Sequence, residues 1–87
     1  MGAQQDLFSQ APPAVRVSHP HVIFEGGVAF VEGSRVPVRR IWEWHQRGVP
    51  IATLVKRYPQ LGPARVLSAL AFAYDNPERA VWDGGEG

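Results

Sequence analysis

Cysteine is absent from the chain, which excludes a disulfide framework and a zinc–thiolate site. No apolar run approaches the roughly 18 residues of a membrane span. Residues 1–14 lack the basic start and apolar stretch of a secretory signal, and the expected location is the cytoplasm. Histidine and serine are scarce, with only His19, His21 and His45, and Ser9, Ser18, Ser34 and Ser68. They compose no nucleophile motif, phosphate-binding loop or HExxH pattern, so no catalytic residue, cofactor or enzymatic role is expected. His19-Pro20-His21 carries metal-ligating chemistry, but proline separates the two rings and no nearby ligand pattern completes a site. A bound metal is therefore not expected either.

Acidic residues are nearly missing from one stretch. Between Arg35 and Arg65 stand Arg35, Arg39, Arg40, Arg47, Lys56, Arg57 and Arg65 against Glu43 alone, a net charge of +6. The remainder sets Arg16 and Arg79 against Asp6, Glu25, Glu32, Asp75, Glu78, Asp83 and Glu86, a net charge of −5. A basic middle between acidic ends suggests a surface that faces a polyanion. Solvated helix faces that happen to be basic would leave the same record.

Eighty-seven residues make one domain with a small core. Three tryptophans, four phenylalanines and two tyrosines are many for this length, and each buries a large apolar area. Residues 1–14 read as a flexible N-terminal arm, residues 15–77 as the folded domain, and residues 78–87 as a polar, glycine-rich tail. Val15 to Ser18 is a short extended segment. Val22-Ile23-Phe24, Glu25-Gly26-Gly27 and Val28-Ala29-Phe30-Val31 spell a β-hairpin with a glycine turn. A lone two-stranded hairpin is marginal in water. Its edge, the segment Val15-Arg16-Val17 and the surplus of aromatics together predict strand pairing or exchange within a homodimer.

Gly33 and Ser34 then supply turn chemistry, and Pro37 suits the start of a helix. That helix runs to about Arg47, with Val38, Ile41, Trp42 and His45 on one stripe, and stops at Gly48. Trp42 and Trp44 lie about 200° apart on it, so one side cannot bury both. Trp44 is expected to meet the hairpin or a second subunit if it leaves the core. His45 is expected beside Trp42 or as a cap at the helix end. A second helix spans about Pro50 to Arg57, with Ile51, Leu54, Val55 and Tyr58 on one side; Tyr58-Pro59 closes it. A third opens at Pro63, carries Val66, Leu67, Leu70, Ala71, Ala73 and Tyr74, and ends near Asn76-Pro77. The fold class is mainly α: a trihelical, helix-turn-helix-like core with a small N-terminal β element.

In that arrangement the first turns of the last helix face base edges, and the preceding turns hold phosphates. Ala64, Arg65 and Ser68 would face the bases. Lys56, Arg57 and Gln60 would hold phosphates, with Arg35, Arg39 and Arg40 adding to the basic surface. Only Arg65 offers a strong bidentate base contact, so sequence readout looks thin. In the tail, Val81 and Trp82 are apolar residues that a free segment seldom needs, and with Arg79 they form a candidate partner-binding motif. The competing expectation folds Trp82 back onto the third helix near Phe72 and Tyr74.

The combination of His19-Pro20, Gly33-Ser34-Arg35-Val36-Pro37-Val38, Gly48-Val49-Pro50, Tyr58-Pro59-Gln60-Leu61 and the helix from Val66 through Ala69-Leu70-Ala71-Phe72-Ala73-Tyr74 resembles the domain-of-unknown-function 433 family. The match covers about His19 to Pro77. Ser34 stands where threonine is usual, Val36 where isoleucine is usual, and Gly62 where a capping serine or threonine is common. The resemblance implies a small helix-turn-helix-like domain, usually dimeric, many of whose relatives look like antitoxins encoded beside PIN-like ribonuclease toxins. It supplies no catalytic residues. Two roles are expected on this footing: a double-stranded-DNA-binding antitoxin that represses its own operon and neutralises a PIN-like ribonuclease, or a non-catalytic protein-interaction adaptor that keeps the fold without DNA binding.

Overall fold

A computed structural model describes residues 14–15 and 18–84. The arm at residues 1–13 and the central residues of the Val15–Ser18 segment lie outside the described residues. Two strands, β1 (Val22–Glu25) and β2 (Val28–Val31), are followed by four helices: α1 (Val38–Gln46), α2 (Ile51–Arg57), α3 (Gly62–Asp75) and α4 (Pro77–Val81). The fold is mainly helical with a small antiparallel hairpin on its N-terminal side.

The hairpin pairs Val22 with Val31, Ile23 with Phe30, Phe24 with Ala29 and Glu25 with Val28. Gly26 and Gly27 both take positive φ, 58° and 84°. That is the two-residue turn whose twist matches the strands, and L-residues with side chains rarely adopt it. Only one face is dry: Val22, Ala29 and Val31 are buried, whereas Ile23 and Glu25 are exposed.

The joint between hairpin and helix is a knot of hydrogen bonds. Ser34 N–H donates to the Val31 carbonyl at 3.1 Å, and Gly33 has φ +76° at the third turn position, the type II pattern. The Ser34 hydroxyl donates to the same carbonyl at 2.8 Å and accepts from Val36 N–H at 3.1 Å. Val31 N–H donates to the Val36 carbonyl at 2.9 Å, and Pro37 bridges to Phe30. Pro37 keeps extended angles, φ −72° and ψ 144°, so it caps α1 from outside. Pro50 does the same for α2. Both sit one residue before the first helical position expected of them, within the usual spread of helix boundaries.

Val31, Val38, Ile41, Leu54, Val66 and Phe72 are sealed from solvent and join α1, α2, α3 and the hairpin in one core. Complete burial of side chains this size stabilises by about 1.5–3 kcal/mol each. The apolar set on α3 divides, however. Val66, Ala69, Leu70, Phe72 and Ala73 turn inward, while Leu67 (48% exposed), Ala71 and Tyr74 (63% exposed) face out. The expectation that Leu67, Ala71 and Tyr74 share the buried stripe is corrected: a 14-residue helix covered by α1, α2, α4 and the hairpin still leaves one side open. Ile51 on α2 is likewise exposed, with Leu54 alone of its stripe fully buried.

The tail expectation is corrected in part. Residues 77–81 form α4, which packs on α1, α3 and β2. Asn76 is the pivot: it is buried, its N–H and its side-chain amide both donate to the Phe72 carbonyl at 2.8 and 3.2 Å, and its own carbonyl accepts from Ala80 N–H at 2.9 Å. Ala80 is the small residue that lets α4 approach the core.

Replacing Ser34 with alanine removes both side-chain bonds at the joint and should destabilise the domain by about 1–2 kcal/mol. Ser34→Thr, which keeps the hydroxyl, should stay close to the parent. Urea unfolding measures both; an unchanged midpoint for Ser34→Ala would contradict the role given to this turn.

Candidate nucleic-acid interface

A helix, a short connector and a longer helix follow one another as α2, Tyr58-Pro59-Gln60-Leu61 and α3. Leu61 is buried and pins the connector to the core, with its N–H donating to the Tyr58 carbonyl at 2.9 Å. Pro59 and Gln60 are left exposed. Lys56 and Arg57 end α2 and are exposed, and Ala64 on the first turn of α3 is exposed as well. Arg65 and Ser68 are half-buried, and Arg65 Nε lies shielded without a hydrogen-bond partner. The open part of α3 near its start is therefore Pro63 and Ala64, flanked by the outer atoms of Arg65 and Ser68.

The basic residues fall into two groups. Arg35, Arg39 and Arg40 cluster at the beginning of α1, with Arg35 projecting into solvent and reaching the Glu25 carboxylate at 3.7 Å. The second group sits where α1 and α2 both end. There the Arg57 guanidinium lies 4.4 Å from the centre of the Trp44 ring, and that of Arg47 lies 5.6 Å from it. Eight residues of helix separate Arg39 from Arg47, about 12 Å along the axis. Trp44 is thus the link between α1 and α2: half-buried, it packs against the core, and the Arg57 side chain covers its ring. Arg47, absent from the phosphate contacts expected from sequence, belongs with this second group. Its i,i+3 spacing from Trp44 was the available signal.

Trp42 occupies the opposite flank of α1. Its ring meets Tyr74 edge-on at 4.9 Å and His45 at 5.8 Å, and His45 Nε2 lies 2.6 Å from the Tyr74 hydroxyl. His45 therefore stands beside Trp42, as one of its two expected places required. The other histidines take separate carboxylates: His19 Nε2 pairs with Asp75 at 2.9 Å and His21 Nδ1 with Glu32 at 3.2 Å.

Of the three tail residues given a partner-binding role, Arg79 is only 8% exposed. Its guanidinium lies over the Phe24 ring at 4.5 Å and near Trp82 at 6.0 Å. Loss of hydration lowers its pKa from the usual arginine value; a guanidinium remains charged at neutral pH nonetheless. The expectation of a free Arg79 is corrected, because the short α4 turns this side chain onto β1. Val81 is exposed and Trp82 half-buried.

Arg79→Ala should cost about 1–2 kcal/mol through lost packing and cation–π contact, whereas Val81→Ser should be within about 0.5 kcal/mol of the parent. Thermal or urea unfolding of the two variants separates them; equal stability would contradict the docking of the Arg79 side chain on Phe24.

Among known proteins, none of the curated sequences and none of the solved structures matches the chain. A family described as Protein of unknown function (DUF433) matches residues 20–73, from the turn before β1 to near the end of α3. This span takes in the hairpin, the Ser34 joint, α1, α2 and the connector, and by it the chain belongs to that family.

Proposed function

We propose that the chain is a DNA-binding antitoxin that represses its own operon and neutralises a PIN-like ribonuclease. The observation that carries the DNA half is the display of cations. Lys56 and Arg57 end the helix before the connector, Gln60 is exposed within it, and Ala64 and Arg65 open the helix after it. This is the order in which such domains bring phosphate contacts and base contacts to a duplex. The cation–π contact with Trp44 holds the Arg57 guanidinium by its flat face, which leaves its in-plane N–H edges for a phosphate. Arg35, Arg39 and Arg40 add a second positive patch at the start of α1, for a separate stretch of the phosphate backbone. The ribonuclease half rests on the family resemblance, with Val81 and Trp82 as the contacts that remain to the tail.

A second reading has an observation of its own. The outward side of α3 carries Ala64, Leu67, Ala71 and Tyr74, which is apolar where a base-reading helix is ordinarily polar. That favours a protein-interaction adaptor with the same fold and no DNA binding.

The two readings separate in a salt titration with the protein's own promoter. Four phosphate contacts per subunit give a slope of log affinity against log salt of about −3.6. Charge reversal at Lys56 and Arg57 should weaken binding to every sequence alike, and Arg65→Ala should also reduce the preference for the promoter. Salt-sensitive binding absent both alone and with the partner protein would leave the adaptor reading.

A further inference from the structure

We infer that the outer edge of β1 is an interface for a second copy of this chain, paired antiparallel across a twofold axis at Ile23. The two edges of the hairpin are treated differently. Beyond β2 lies the segment Val36-Pro37, which takes the Val31 N–H and bridges to Phe30. Among the described residues no strand lies beyond β1. His21 and Ile23 point their backbone groups at β2, since Glu32 N–H donates to the His21 carbonyl and Ile23 faces Phe30. Alternation then turns the backbone groups of Val22 and Phe24 outward. Among the described residues none engages the Phe24 N–H or the Val22 carbonyl there, while Val22 N–H donates to the His19 carbonyl at a long 3.2 Å.

The side chains select the register. With Ile23 opposite its own copy, Val22 lies opposite Phe24 of the other chain, and each Phe24 N–H donates to a Val22 carbonyl. His21 then lies opposite Glu25. Within one chain Glu25 already reaches Arg35, and His21 already reaches Glu32. Across the axis the row therefore reads Arg35, Glu25, His21, Glu32, alternating donors and carboxylates, and it occurs twice by symmetry. On the same outer face the two Ile23 side chains, each 37% exposed, cover one another at the centre. On the inner face Val22 of the other chain lies beside the Phe24 ring, which within its own chain meets Phe72 and the Arg79 guanidinium. A shift by two residues would set Ile23 against Glu25 and lose both matches. A second copy fits this edge because the edge is complementary to itself.

The chain has no cysteine, so one substitution tests the geometry cleanly. Ile23 and its copy form a non-hydrogen-bonded pair, with Cα atoms about 4.5 Å apart, within disulfide reach. Ile23→Cys under mild oxidation should convert to a covalent dimer nearly completely, while Ile51→Cys, equally exposed on α2, should remain mostly uncrosslinked. Light scattering of the parent at micromolar concentration should give twice 9.6 kDa. Ile23→Lys, which sets like charges on the axis, should give the mass of one chain with an unchanged circular dichroism spectrum. A monomeric parent would overturn the inference, as it would if residues 15–17 or a different protein occupied this edge. So would a dimer indifferent to Ile23→Lys, or crosslinking no better at Ile23 than at Ile51.

Discussion

Everything in this domain hangs from the turn at Val31–Val36. A two-stranded hairpin is marginal in water on its own, and here Val22, Ala29 and Val31 of the hairpin share one core with the helices. The turn couples the two by binding both ends of one loop to the same few atoms. The Val31 carbonyl receives the Ser34 backbone and hydroxyl, and the Val31 N–H reaches across to Val36. Val31 and Val38, on either side of the turn, are both completely buried. The geometry that delivers one into the core delivers the other, and a glycine with positive φ at position 33 is what lets the chain reverse in so few residues.

From that anchor, α1 becomes the axis of the molecule, and its two flanks are divided between two tryptophans. Trp42 ties α1 to the far end of α3 through Tyr74, and Trp44 ties it to the end of α2 through Arg57. The second tie bears on the proposed DNA surface, because it uses an aromatic ring to fix a cation near the surface. An arginine stacked by the face of its guanidinium retains the in-plane hydrogen-bonding edges and loses less freedom on meeting a phosphate. Stability and a charged surface are thus supplied by the same contact. The basic residues nevertheless do not form one patch, since the length of α1 separates Arg39 from Arg47.

Much of this is legible in the residues alone, for identifiable reasons. Gly26-Gly27 between two β-branched runs marks the hairpin, and Gly48, Pro59 and Asn76-Pro77 mark the helix ends, because each is a local signal with a local cause. Which side of α3 is covered is not local. Val66, Leu67, Leu70, Ala71 and Ala73 are all apolar, and only the placement of α1, α4 and the hairpin decides that Leu67 and Ala71 remain outside. The same holds for Arg79. Pro77-Glu78-Arg79-Ala80-Val81 is too short and polar to announce a helix, and its order comes from Asn76, Ala80 and the rings of Phe24 and Trp82. In the candidate interface, Lys56, Arg57, Gln60 and Ala64 are exposed, as surface charge and turn chemistry imply. The partial burial of Arg65 and Ser68 required the packed helix to be seen.

On the proposed function, DNA is met by two cationic patches: Arg35 to Arg40 at the start of α1, and Arg47, Lys56 and Arg57 with the opening turn of α3. Backbone amide chemical shifts during titration with the protein's own promoter fragment examine this residue by residue. The expected result is displacement concentrated at Arg35 to Arg40 and from Arg47 through Lys56 to Arg65, with Ile23 and Val81 little changed. Displacements confined to Leu67, Ala71 and Tyr74, or a spectrum unmoved by the duplex, would contradict it.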